Sequence, residues 1–102
     1  MPSPLISSQL RNMIEKHGYP VLDENSIDAF LQARDQVVLF FAENPQRFPE
    51  SDDVAMILPE LVKAFGGRLE AALIDRKAEH GLQRRYGFGT WPALVFLRRG
   101  EY

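Results

Sequence analysis

The 102-residue chain contains no cysteine. That excludes disulfides, thiolate metal sites and thiol redox chemistry together, and it leaves the redox compartment unread. Long apolar runs are also missing. None approaches the roughly 18 residues that would suggest a membrane-spanning helix. The opening MPSPLISSQLRNMIEKHG has no basic region followed by a long apolar core, so it does not read as a secretory leader. A cytoplasmic location and no membrane insertion are the expectations. Net charge is small: 12 basic and 14 acidic side chains leave −2. That argues against a general nucleic-acid binder, which is normally basic. Histidine is scarce. His17 and His80 lie far apart, and neither has a second ligand at metal spacing, so no metal site is expected. No Ser-His-Asp grouping, glycine-rich phosphate loop or paired catalytic carboxylate stands out. The expectation is therefore no enzyme and no cofactor. Internal repeats and low-complexity segments are absent too.

What is present suffices for one domain over residues 1–102, with a modest core that needs no disulfide staples. Ile6, Leu10, Met13, Ile14 and His17 form one helical stripe, stopped by Gly18. Pro20 to Leu22 suits a short edge strand. Asp23 to Ser26 supplies N-cap residues for a short helix carrying Ile27, Phe30 and Leu31. The run VVLFFA, Val37 to Ala42, is continuous and begins β-branched, which favours a strand buried on both faces. The loop ENPQRFPESDD follows. From Val54 a helical stripe runs through Ile57, Leu58, Leu61, Val62 and Phe65, with Pro59 inside it and Gly66-Gly67 at its end. LEAALI, Leu69 to Ile74, reads as a strand, and Asp75 to Glu79 as a polar link. Glu79 to Tyr86 reads as a short helix with Leu82 and Tyr86 inward. Ala93 to Leu97 is a last strand, with Gly100 placed for a turn. Met13 and Met56 read as core filler, Met56 the less secure of the two because it borders the stripe.

The strand–helix–strand unit from Val37 to Ile74 should be parallel and right-handed. Its loop, Glu43 to Asp53, leaves the carboxyl end of the first strand, where ligands sit in open α/β sheets. The segment before Pro92 must come close to that loop if the two are to form one site. Proline cannot donate to a sheet ladder, so Trp91-Pro92 fits only the head or the edge of a strand.

The order α-β-α-β-α-β-α-β, with X-Pro opening a late strand, resembles the thioredoxin fold. VVLFFAE is similar to its central strand, PEL to its helix proline, and RRYGFGTWPALVFLRRGE to its cis-proline stretch and following turn. The fold class expected is α/β, thioredoxin-like, with a central mixed sheet flanked by helices and without the last strand and helix of that fold. The strand from Ala93 to Leu97 would then carry an exposed edge. A truncated chain, a further tail and pairing with a second chain all fit. The redox C-x-x-C has no counterpart in NPQRFPESDD, and the buried aspartate of thioredoxins falls at Leu39. Dithiol oxidoreductase chemistry is therefore ruled out.

One thioredoxin-like family lacks those cysteines: the HyaE/HupG hydrogenase expression/formation proteins. The stretches MIEKHGYPVLDENSIDAFL, NPQRFPESDDVAMILPELVKAF and QRRYGFGTWPALVFLRRGEY resemble it along most of the chain. The resemblance implies a cytoplasmic chaperone in nickel–iron hydrogenase maturation, binding the twin-arginine signal peptide of the hydrogenase small-subunit precursor. It also implies a cis bond between Trp91 and Pro92.

Charge is distributed unevenly. Glu15 to Glu60 holds ten acidic and three basic residues, and Lys63 to Tyr102 holds eight basic and four acidic. Glu43, Glu50, Asp52 and Asp53 bracket one loop. Carboxylates pair with guanidinium groups in bidentate fashion, and an acidic loop speeds encounter with a cationic partner. The loop thus suits the paired arginines of a leader. The competing reading has solvated acids, with Asp52 and Asp53 capping the helix at Val54. Trp91 and Pro92 suit an extended peptide added at a strand, with the indole against its apolar region. Alternatively, Trp91 covers the sheet end. Phe48 is either an exposed contact or tucked back on the sheet. Three function classes remain: a peptide-binding chaperone, a thioredoxin-like adaptor for a folded hydrogenase subunit or another maturation protein, and an enzyme with a non-thiol mechanism. The third needs a converging set of titratable groups, which the sequence does not offer.

Overall fold

The computed structural model describes residues 8–42, 50–66, 68–89 and 91–99. In chain order these form α1 (Ser8–Glu15), β1 (Val21–Leu22), α2 (Ile27–Gln32), β2 (Gln36–Phe41), α3 (Glu50–Ala64), β3 (Leu69–Ile74), a 3-10 turn (Arg76–Ala78), α4 (Glu79–Tyr86) and β4 (Ala93–Arg98). The order matches the expected alternation.

The four strands make one sheet in the order β1-β3-β2-β4. β3 runs parallel to both β1 and β2, with Val38 opposite Ala71. β4 runs antiparallel to β2, with Leu39 opposite Val95 and Phe41 opposite Ala93. The sheet is therefore mixed, and β4 lies at one edge.

Strand periodicity divides the core in two. Val37, Leu39 and Phe41 point to one face and pack with Ile27, Phe30 and Leu31 of α2 and with Leu82 and Tyr86 of α4. Val38, Phe40 and Ala42 point to the other face and pack with Met13 of α1 and with Ala55 and Leu58 of α3. All six residues from Val37 to Ala42 are buried, as a strand covered by helices on both faces requires.

The structure corrects three details. α3 begins at Glu50, four residues before the apolar stripe starts at Val54. Acidic residues carry no apolar period, yet they favour the first turn of a helix, where the backbone amides are unpaired. The buried face of α3 is set by Ser51, Ala55 and Leu58, so Ile57 and Met56 are each 62% exposed. Met56 is thus surface, and Met13 alone of the two is core, at 1% exposure. His17 lies beyond the end of α1 and is exposed, stacked on Tyr19 with ring centroids 5.7 Å apart.

α2 is entered through a hydrogen-bonded turn. Asp23 Oδ1 accepts from the Asn25 amide at 2.9 Å, the Ser26 amide at 3.0 Å and the Ser26 hydroxyl at 3.1 Å, while Ser26 Oγ accepts from the Asp23 amide at 2.9 Å. α4 ends at Gly87, whose φ of 73° is the left-handed conformation that glycine adopts without steric cost. No helix among the described residues is long and apolar enough to cross a membrane.

Candidate functional site

The sheet register brings two segments distant in sequence to one place. Phe41 pairs with Ala93, so the chain leaving β2 at Ala42 runs beside Pro92 as it enters β4. From the Ala42 side, the helix α3 is tied back to the strand end: the Ser51 hydroxyl, fully buried, donates to the Ala42 carbonyl at 2.6 Å. The carboxyl end of β2 therefore carries both the first turn of α3 and the Trp91-Pro92 pair. The two lie at the same end of the sheet, with Trp91 packed on the α2/α4 face and α3 on the other.

The α3 side contributes Glu50, Asp52 and Asp53, all in the helix's first turn. Glu50 and Asp53 are exposed and Asp52 is half-buried. Ser51 turns inward between them. Glu43 and Phe48 lie outside the described residues.

The β4 side is an aromatic ladder rising from the core. Phe41 meets Phe88 edge-on with centroids 4.7 Å apart, and Phe88 meets Trp91 edge-on at 5.2 Å. Tyr86 approaches Phe41 at 6.3 Å, and burial raises its phenol pKa above the ordinary value. The Gln83 side-chain amide donates to the Phe88 carbonyl and so fixes the turn after α4. Trp91 and Pro92 are half-buried, and the peptide bond between them is cis. Their exposure leaves part of each in reach of solvent.

Trp91 has a partner that the sequence reading missed. Its indole Nε1 donates to Oε1 of Glu79 at 3.1 Å. Glu79 opens α4 and is only 1% exposed. Its neighbour His80 is exposed and tilts against the Trp91 ring, centroids 5.0 Å apart. An acid at the start of a helix ordinarily reads as solvated. Nothing local to the sequence marks this one as buried, because the tryptophan that receives it comes from twelve residues away.

Among the described residues, no group of three or more His, Asp or Glu side chains is arranged to hold a metal. A concavity of about 840 Å³ lies at the opposite end of β2, lined by Gln36, Phe65, Leu69, Phe96, Leu97, Arg98 and Arg99. It is separate from the Trp91 end.

Comparison with known proteins decides the family. The profile described as "Hydrogenase-1 expression protein HyaE" matches residues 10–102. The chain belongs to this HyaE family. The hydrogenase expression/formation protein HoxO of Azotobacter vinelandii is 49% identical over 98 residues, covering 96% of this chain and 66% of that protein. HupG of Bradyrhizobium diazoefficiens is 45% identical over 92 residues, covering 86% of this chain and 62% of its own length. The chain thus spans a little under two thirds of these two relatives. A crystal structure of a hydrogenase expression/formation protein hupG from Rhodopseudomonas palustris superposes with a TM-score of 0.72 at 42% identity. That match covers 78% of this chain and 71% of the other. A thioredoxin from Halobacterium salinarum superposes at 0.62 with 21% identity, over 80% and 70% of the two chains, which places the HyaE-family chain in the thioredoxin-like fold. The expected fold and family both hold.

Proposed function

We propose that this HyaE-family chain is a non-redox chaperone that binds the twin-arginine signal peptide of a hydrogenase small-subunit precursor in the cytoplasm. The reading is carried by one observation: the acidic first turn of α3 and the half-exposed Trp91-Pro92 pair share the carboxyl end of β2. On this reading Glu50, Asp52 and Asp53 receive guanidinium groups, together with Glu43, which lies outside the described residues. Carboxylate–guanidinium pairing is directional and bidentate, so it distinguishes arginine from lysine. Trp91, Pro92 and Phe48 take the apolar segment that follows.

Calorimetric titration with the leader peptide, run beside a version with both arginines changed to lysine, tests the proposal. Micromolar binding, on the order of −8 kcal/mol, that weakens for the Lys-Lys peptide is the expected result. Equal binding of both peptides removes the guanidinium role and leaves the apolar contacts. No binding of either peptide by folded protein rejects the reading. A second reading, an adaptor for a folded hydrogenase subunit or another maturation protein, draws support from Met56 and Ile57, which are exposed side by side on α3. It predicts binding that ignores the leader's arginines.

A further inference from the structure

Glu79 does not belong to the acidic turn of α3, yet it is the acid that touches the aromatic half of the site. We infer that Glu79 is a positioning residue, which sets the orientation of Trp91 against the peptide and so contributes to affinity without touching the peptide itself. The inference rests on the peptide-binding reading above.

The geometry supports it in three ways. First, Glu79 is almost wholly shielded from water at 1% exposure, so its oxygen meets the indole N–H of half-buried Trp91 directly, in a part-buried setting. A hydrogen bond to a carboxylate in such a setting is stronger and more directional than one at the surface. Second, the bond joins two elements that approach only in the folded chain: Glu79 opens α4, and Trp91 precedes β4. Third, the Trp91 ring is flanked by the edge-on ring of Phe88 at 5.2 Å and the tilted ring of His80 at 5.0 Å. Apolar and aromatic contacts of that kind tolerate rotation of the indole about its χ angles. The N–H to Oε1 bond is directional and favours a rotation that keeps the indole N–H on Glu79.

The chain has a single tryptophan, so its intrinsic fluorescence reports on Trp91 alone. Two readouts on the whole chain test the inference: acrylamide quenching of that fluorescence and calorimetric affinity for the leader peptide. In Glu79→Met, which keeps side-chain length and removes the acceptor, quenching should rise towards that of a free indole. Leader affinity should fall by about fivefold to tenfold, the loss of roughly one hydrogen bond. Glu79→Gln retains an oxygen acceptor and should restore both. Trp91→Phe removes the same bond from the other side while keeping an aromatic ring. It should lower affinity, and the double variant should lose less than the sum of the two single losses. The double cycle is read when Glu79→Met folds. If it does not fold, Trp91→Phe with unchanged affinity overturns the inference by itself. Quenching that rises in Glu79→Met while affinity stays at the wild-type value also overturns it. A wild-type chain that binds no leader rejects the peptide reading, and the inference with it, before any variant is made. That failure is thereby distinct from the others.

Discussion

Ser51 and Trp91 hold the two halves of the candidate site by different means, and single substitutions separate them. The Ser51 hydroxyl is fully buried and donates to the Ala42 carbonyl at 2.6 Å. Ser51→Ala leaves that carbonyl short of a partner in a region closed to water. The expected cost is about 1–3 kcal/mol, seen as a lower urea midpoint with an unchanged slope. An unchanged midpoint would show that the strand end reaches another donor. Trp91 is only half-buried, so Trp91→Ala should reduce leader affinity proportionately more than it reduces stability. Parallel losses in both would make Trp91 a cover for the sheet end and remove it from the binding surface. Neither attachment is legible from the residues around it. A serine among acids reads as one more polar loop residue, and only the packed helix reveals that it faces the strand.

At the scale of elements, local signals and tertiary packing agree for β2, β3 and α4, and these three were legible from the chain. A continuous apolar run can be buried only between two helical layers. α3 was harder because its buried face is built on small residues, Ser51 and Ala55, which let the helix lie close to the sheet. Counting large apolar side chains points instead towards Ile57, which the structure leaves outside. β4 shows the same contrast within one strand. Leu97 is buried at 4% and Phe96 is 45% exposed. Leu97→Ala should cost about 2–5 kcal/mol by thermal or denaturant unfolding. Phe96→Ala should cost about 1 kcal/mol, the span of strand preference at a surface position. Equal costs would mean that the Phe96 face is covered in solution. The turn entering α2 supplies a pH dependence. The Ser26 hydroxyl, and then the Ser26 and Asn25 amides, hold the Asp23 carboxyl below its ordinary pKa. A depressed carboxyl contributes stability above its unfolded value, near about 3.9, and the contribution disappears as pH falls through the folded value. Asp23→Ala should therefore be less stable at neutral pH and lose less on acidification below about pH 4. A variant with an undiminished acid loss would exclude Asp23 from that transition.

Over the whole molecule, the site divides into a part written in composition and a part created by folding. The acidic character of residues 15–60, ten acids against three bases, is visible in the sequence and needs no structure. The placing of α3 and Trp91-Pro92 at one end of the sheet depends on β4 pairing antiparallel to β2, a contact between segments some fifty residues apart, which no local pattern encodes. The buried Glu79 depends on the same closure. These two parts predict different responses to salt. In the proposed complex, attraction between the acidic turn and a cationic leader would act over distance and be screened as the Debye length falls from about 10 Å at 0.1 M to about 3 Å at 1 M. The proposed Trp91 contact would act only once the partners touch and would bury apolar surface, which salt does not weaken. Stopped-flow measurement across that range should show association slowing several-fold while dissociation changes little. Glu50→Gln should lower the low-salt association rate and flatten its salt dependence, whereas Trp91→Ala should act mainly on dissociation. A salt-independent association rate in the unaltered chain would remove electrostatic steering from the mechanism and leave recognition to the aromatic end of the site.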